Sequence, residues 1–145
     1  MSDKTVVSLQ KRSQESNALN IALWTVQVIL GVLFLTLGVL KTVWAVEQLA
    51  ALMPWTAGVL LNFVRFVGIT EILGAVGLLA PLILRINPVL TPLGAAGLAV
   101  IMILSVPFHI YRGDGSQLGL NVLFLLMAVF IAWGRLIKVP IQPRS

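Results

Sequence analysis

Four long apolar runs, parted by short polar breaks, dominate the chain. They extend over about 20–40, 60–84, 93–111 and 118–134. Each falls in or near the range of roughly 17–25 residues that crosses a bilayer as a helix rising about 1.5 Å per residue. Short breaks favour antiparallel neighbours. The pattern therefore predicts an all-α membrane protein, a four-transmembrane-helix antiparallel bundle. The longest connection, Thr42 to Val59, carries a weak amphipathic turn around Glu47 and Gln48 that Pro54 stops. It predicts a short interfacial helix between spans one and two, with a plain loop as the alternative. Residues 1–18 are polar and read as a mobile cytoplasmic tail, left uncleaved because the following apolar run is too long for a signal sequence. Residues 138–145 read as a basic, proline-broken cytoplasmic tail.

Inside the runs, small and polar residues recur at helical spacing. Gln27, Gly31, Phe34, Gly38 and Lys41 share one face of span one, and Gly68, Glu71, Ala75 and Leu78 one stripe of span two. Gly94, Leu98, Met102, Ser105 and His109 form a stripe on span three, and Asn121, Leu125, Ala128 and Ala132 one on span four. Glycines on such faces let helices approach closely. The segment from Pro81 to Pro92 reads as a tight turn, and Pro107 allows a kink beside His109.

Composition sharpens the class. The chain is 59% hydrophobic and only 10% charged, where soluble domains average nearer a quarter charged. A net charge of +5 could suggest nucleic acid. Yet Lys4, Lys11, Arg12, Arg85, Arg135, Lys138 and Arg144 all fall on one side of a four-span topology, against Lys41, Arg65 and Arg112 on the other. That asymmetry is a topology signal that puts both termini in the cytoplasm, with no nucleic-acid partner. Trp24, Trp44, Trp55, Tyr111 and Trp133 lie near the ends of the runs, where aromatic rings settle at the headgroups. Cysteine is absent, which removes disulfides, thiolate nucleophiles and Cys-ligated clusters. A single His cannot make a bis-His haem site, and a metal site would lack ligands. No complete catalytic or electron-carrying site is present, so a redox role would be that of an oxidoreductase-associated subunit.

The predicted topology gathers Lys41, Arg65, Glu71, Ser105, His109 and Asn121 in the outer half of the membrane. Each has a plain reading. Glu71 can be the structural partner of Lys41 or Arg65; those two cations can snorkel; His109 can cap a helix end; Asn121 can hold helices together. Taken together, Lys41, Arg65, Glu71, His109 and Asn121 are candidates for ligand binding or proton relay. A quinone ring suits such a site, because its carbonyls need donors and its reduction needs protons.

Gly38-Val39-Leu40-Lys41, Arg65-Phe66-Val67-Gly68, the stretch Glu71 to Pro81 and His109 resemble the DoxX-like family of small four-span bacterial membrane proteins, over roughly Ala22 to Ala132. The resemblance implies the four-span fold. It also implies a link to quinones, since the family takes its name from a subunit associated with thiosulfate:quinone oxidoreductase and other relatives are tied to quinone or oxidative-stress handling. It assigns no proven role to Lys41, Arg65, Glu71 or His109. Two expectations result. One is a membrane protein binding a quinone or similar small amphiphile within a redox-linked complex. The alternative is a non-enzymatic membrane partner or assembly subunit, docking on a neighbour or on a second copy as a homo-oligomer, with Glu71 as a structural ion-pair member. A small transporter ranks last, because four spans are thin for a pathway.

Overall fold

In the computed structural model, residues 3–84 and 86–142 are described. Arg85, Pro143 and Arg144, counted above among the turn and tail residues, lie outside them. Five helices are present: α1 (Asp3–Val43), α2 (Val46–Leu52), α3 (Leu61–Leu84), α4 (Leu90–Arg112) and α5 (Gly115–Trp133). A 3-10 turn (Pro54–Thr56) follows α2, and a π-helical turn (Gly134–Lys138) extends α5. No strand occurs among the described residues. The α1, α3, α4 and extended α5 helices are each long and apolar enough to cross a membrane. The protein is an all-α membrane-type bundle.

Three boundaries differ from the sequence reading, each for a local reason. Residues 3–18 are not an irregular tail but the start of α1. No Gly or Pro interrupts that segment, and its Lys, Gln, Arg, Glu and Leu are good helix formers. All the residues from Asp3 to Asn17 are exposed, so this part of α1 projects from the bundle for about 20 Å. Pro81 lies inside α3, and Pro92 lies in the first turn of α4, where its missing N–H costs little. The predicted Pro81–Pro92 turn thus shrinks to a short break before Leu90, of which residues 86–89 are described. At the other end, Gly134 to Lys138 continues the last span past its predicted end at 134, so Arg135 belongs to the bundle and Lys138, read above as the start of the tail, is helical.

Each apolar stripe turns inward. Leu30, Phe34, Ala75, Leu78, Leu98, Met102, Ala128 and Ile131 form a core drawn from all four spanning helices. α1 runs antiparallel to α3 and α5, as Lys41 meets Glu71 and Phe34 meets Phe124. Two glycine contacts set the closest approaches. A Cβ on Gly38 would stand 2.7 Å from Gly68 O, and one on Gly94 would stand 2.8 Å from Gly74 O. The first binds α1 to α3 and the second binds α3 to α4, so a side chain at either position would push helices apart.

The connection between α1 and α3 folds over one end of the bundle. Leu49 of α2 is fully buried and packs with Met53, Trp55 and Val64, while Glu47 and Gln48 face outward. The amphipathic turn therefore forms a helix, and it docks on the protein as a cap. Gly113, in the left-handed conformation at φ 70°, ends α4 beside it.

Candidate functional site

The capped end holds most of the polar residues that the spacing singled out. Lys41 closes the buried face of α1, and Glu71 lies ten residues into α3 opposite it. Lys41 Nζ donates to both carboxylate oxygens of Glu71, at 2.6 and 2.7 Å. The two side chains are 5% and 3% exposed. Such burial makes the pair a fixed element of the site, since either charge alone would be strongly disfavoured there.

Arg65 takes a different role from the one open to it in the sequence. Its guanidinium donates to the carbonyls of Lys41 (2.6 Å) and Trp44 (2.7 Å). These belong to the carbonyls left without amide partners where α1 ends, and a cation suits the negative end of a helix. Arg65 thereby holds the α1 terminus that carries Lys41, and it positions the ion pair from behind rather than lining the space in front.

That space is a cavity of about 490 Å³. Lys41, Glu71, Ser105, His109 and Asn121 supply its polar wall. Five of the six phenylalanines (Phe34, Phe63, Phe66, Phe108 and Phe124) and Trp55 supply much of the rest. Asn121 Nδ2 donates to Ser105 Oγ, which in turn donates to the Ile101 and Met102 carbonyls. The chain of bonds fixes the amide and leaves Asn121 Oδ1 buried with no partner among the described residues. His109 Nδ1 is likewise unpartnered, 3.9 Å from Asp114 Oδ2, and Asp114 also faces Arg112 Nε at 3.4 Å. The His109 ring is held by edge contacts with Trp55 and Phe108. Unsatisfied buried polar atoms are uncommon. Asn121 Oδ1, on a cavity-lining side chain, leaves an acceptor for an occupant, whereas His109 Nδ1 faces the equally unpartnered Asp114 Oδ2 outside the cavity lining.

Trp55 was legible only as a headgroup aromatic. It is 8% exposed, with its ring 5.5 Å from Lys41 Nζ and 5.9 Å from the Phe108 ring. The 3-10 turn that begins at Pro54 aims it down into the bundle. It is the lid of the polar wall.

A second polar cluster sits at the opposite end, where Gln27 had no evident partner in the sequence. Gln27 Nε2 donates to Leu78 O at 2.7 Å, close to Pro81, whose missing N–H already weakens that part of the helix. Gln27 Oε1 accepts from Arg135 Nε at 3.1 Å, and Arg135 Nη1 donates to Asn20 at 2.8 Å. The guanidinium also stacks over Trp24 at 4.3 Å. Arg135 is 3% exposed, so it is a structural tie between the two ends of the chain rather than a surface charge.

Comparison with known proteins agrees with this architecture. Neither the curated proteins nor the solved structures include a match to the chain. The model of the DoxX-like family matches residues 25–131, which spans all four transmembrane helices and every residue of the cavity wall. The chain belongs to the DoxX-like family.

Proposed function

We propose that this protein binds a quinone or similar small amphiphile in the capped-end cavity, as part of a redox-linked complex in the bacterial inner membrane. The observation that carries the reading is the cavity itself. Its volume of about 490 Å³ lies within the range of small-molecule sites, roughly 300–1,000 Å³. Aromatic walls suit a flat ring, which they can meet by stacking or edge contacts. Asn121 Oδ1 can accept from a hydroxyl of the reduced ring and the imidazole can donate to a carbonyl of the oxidised one, so the wall suits a head that interchanges carbonyl and hydroxyl. With the paired Lys41 and Glu71 at its base, the site can orient such a head. Electrons would come from a partner, because the chain offers no ligand set for an electron carrier. Basic Lys4, Lys11, Arg12 and Lys138 at the end that holds both termini support a cytoplasmic position for that end.

The test is binding of a methyl-substituted benzoquinone to the purified protein in nanodiscs, read as quenching of Trp55 fluorescence in a background where Trp24, Trp44 and Trp133 are each replaced by Phe. Saturable quenching that is weakened in Asn121→Leu and His109→Ala is the expected result. Quenching that never saturates, or that both substitutions leave unchanged, overturns the reading.

One observation favours a second reading. The Lys41–Glu71 pair is closed on both carboxylate oxygens, as a register-setting contact would be. In that reading the chain is a non-enzymatic membrane partner or assembly subunit, and Glu71 is structural. Glu71→Gln separates the two. Quinone binding left intact while thermal stability falls or the complex dissociates marks Glu71 as structural. Loss of binding in a protein of unchanged stability marks it as part of the site.

A further inference from the structure

The cavity is covered by Met53 and Trp55 at its capped end and opens sideways between helices. On its capped side, Met53 and Trp55 are only 6% and 8% exposed and lie over the polar wall. Sideways the situation is reversed. Phe63, Phe66, Thr70, Gly74 and Gly77 step by three or four residues along α3, so they share the stripe that faces α4. Gly94, Leu98, Ile101, Ser105 and Phe108 form the matching stripe on α4, with Leu104 at its edge.

At the glycine end these stripes meet. A Cβ on Gly77 would lie 3.0 Å from the Gly94 backbone, and one on Gly74 would collide with Leu98. At the phenylalanine end they part. Phe66 is 62% exposed and Leu104 is 71% exposed, although both line the cavity. Side chains that face a neighbouring helix stay that exposed only where the neighbour has drawn away. Leu104 lies eight residues before the end of α4, about 12 Å along the helix axis. The gap therefore sits at the depth of lipid chains rather than at the water boundary.

We infer that the cavity is filled from the bilayer, through the gap between α3 and α4, by an amphiphile with a compact polar head and an extended apolar tail. The head reaches Lys41, Glu71 and Asn121, and the tail lies across Phe66 and Leu104 into the lipid. This inference rests on the binding reading above and adds to it the class of ligand and its route. A ligand without a tail would fill the polar wall but leave the aromatic gap to lipid chains.

The experiment uses the wild-type protein in proteoliposomes and a decyl-benzoquinone carrying a diazirine at the end of its tail. Irradiation and peptide mapping locate the tail, while fluorescence quenching by the tailless ring, in a variant that keeps Trp55 alone (Trp24, Trp44 and Trp133 each replaced by Phe), reports the head site separately. The expected result is adducts on α3 around Phe66 and on α4 around Leu104, lost when untagged decyl-benzoquinone is added in excess. Competable adducts confined to α2, the Pro54 turn or α5 would overturn the lateral route while leaving head binding intact. If the tailless ring shows no saturable quenching and no adduct can be competed, both the route and the binding reading fall.

Discussion

Replacing one member of the Lys41–Glu71 pair by methionine tests whether this contact holds α1 to α3. Lys41 Nζ stands 2.6 and 2.7 Å from the two Glu71 oxygens, and both residues are at most 5% exposed. At an effective dielectric of ~20, unit charges that close attract by about 6 kcal/mol. Desolvation takes back several kcal/mol for each ion, so the net worth of the intact pair is small. The orphan is another matter. Lys41→Met leaves a buried carboxylate and Glu71→Met a buried ammonium, each expected to cost about 3–5 kcal/mol. The double substitution removes both charges and restores an apolar contact of similar volume, so it should fall within about 1–2 kcal/mol of wild type. Equilibrium unfolding in mixed detergent micelles, run on all four proteins, gives the coupling energy directly. The expected value is above about 3 kcal/mol and favourable to the intact pair. A coupling energy below about 0.5 kcal/mol, with the two single effects simply adding, would refute the claim that the ion pair clamps the helices.

The remaining predictions concern packing, the opposite end and the cap. Gly68→Ala should lose about 1–3 kcal/mol in the same unfolding assay, because its Cβ would stand 2.8 Å from Gly38 O. Gly97→Ala and Gly119→Ala, where a Cβ meets nothing within 4 Å, should be neutral or gain up to about 1 kcal/mol; equal losses at all three would sink the seam argument. Arg135→Lys should cost about 1–3 kcal/mol, since an ammonium cannot reproduce the forked contacts to Gln27 and Asn20; wild-type unfolding in that variant would show the tie to be idle. Trp55→Leu removes the edge contacts to Phe108 and His109, together worth roughly 1–1.5 kcal/mol, so amide exchange over residues 46–56 should quicken about tenfold while α3 stays protected.

What could be read from the sequence followed helical periodicity. The stripes containing Gln27 and Lys41, Gly68 and Glu71, Met102 and His109, and Asn121 and Ala128 all place their members inward, because one face of each helix must be covered by the others. Hydropathy marked where the apolar stretches end but not where the helices end. The projecting part of α1 needs no apolar face to be helical, so no hydropathy signal announces it. Arg135 was hidden for a related reason: a charge just past the end of a long apolar run normally points to water. The available clues were Gln27 without a partner in the same half of the bundle, and Gly134, small enough to let Leu23 pack against the chain. Arg65 and Trp55 depend on how the connection folds back over the bundle, and no periodicity carries that information. The role of Arg65 required knowing that α1 ends with its carbonyls beside α3.

The ion pair and the cavity have a common origin in where α3 finds its neighbours. Near the cap, the Gly38–Gly68 contact and the Lys41–Glu71 pair draw α3 against α1. Toward the other end, Gly74 and Gly77 draw it against α4 through Gly94. A stiff helix tied to α1 at both ends, through Gly38–Gly68 near the cap and Gln27–Leu78 at the far end, but to α4 at the glycine end, diverges from α4 near the cap, and the aromatic side chains there line the space without filling it. Placing a charged pair on the α1 seam leaves the α4 side free of charge, which keeps the lipid-facing gap apolar. The methionine substitutions at Lys41 and Glu71 therefore probe more than stability. A single orphaned charge weakens the tie that holds α3 away from α4, while the double substitution restores that tie without restoring the polar wall. Shape and polarity of the site can be separated by this route, because the same contact that sets the one also supplies half of the other.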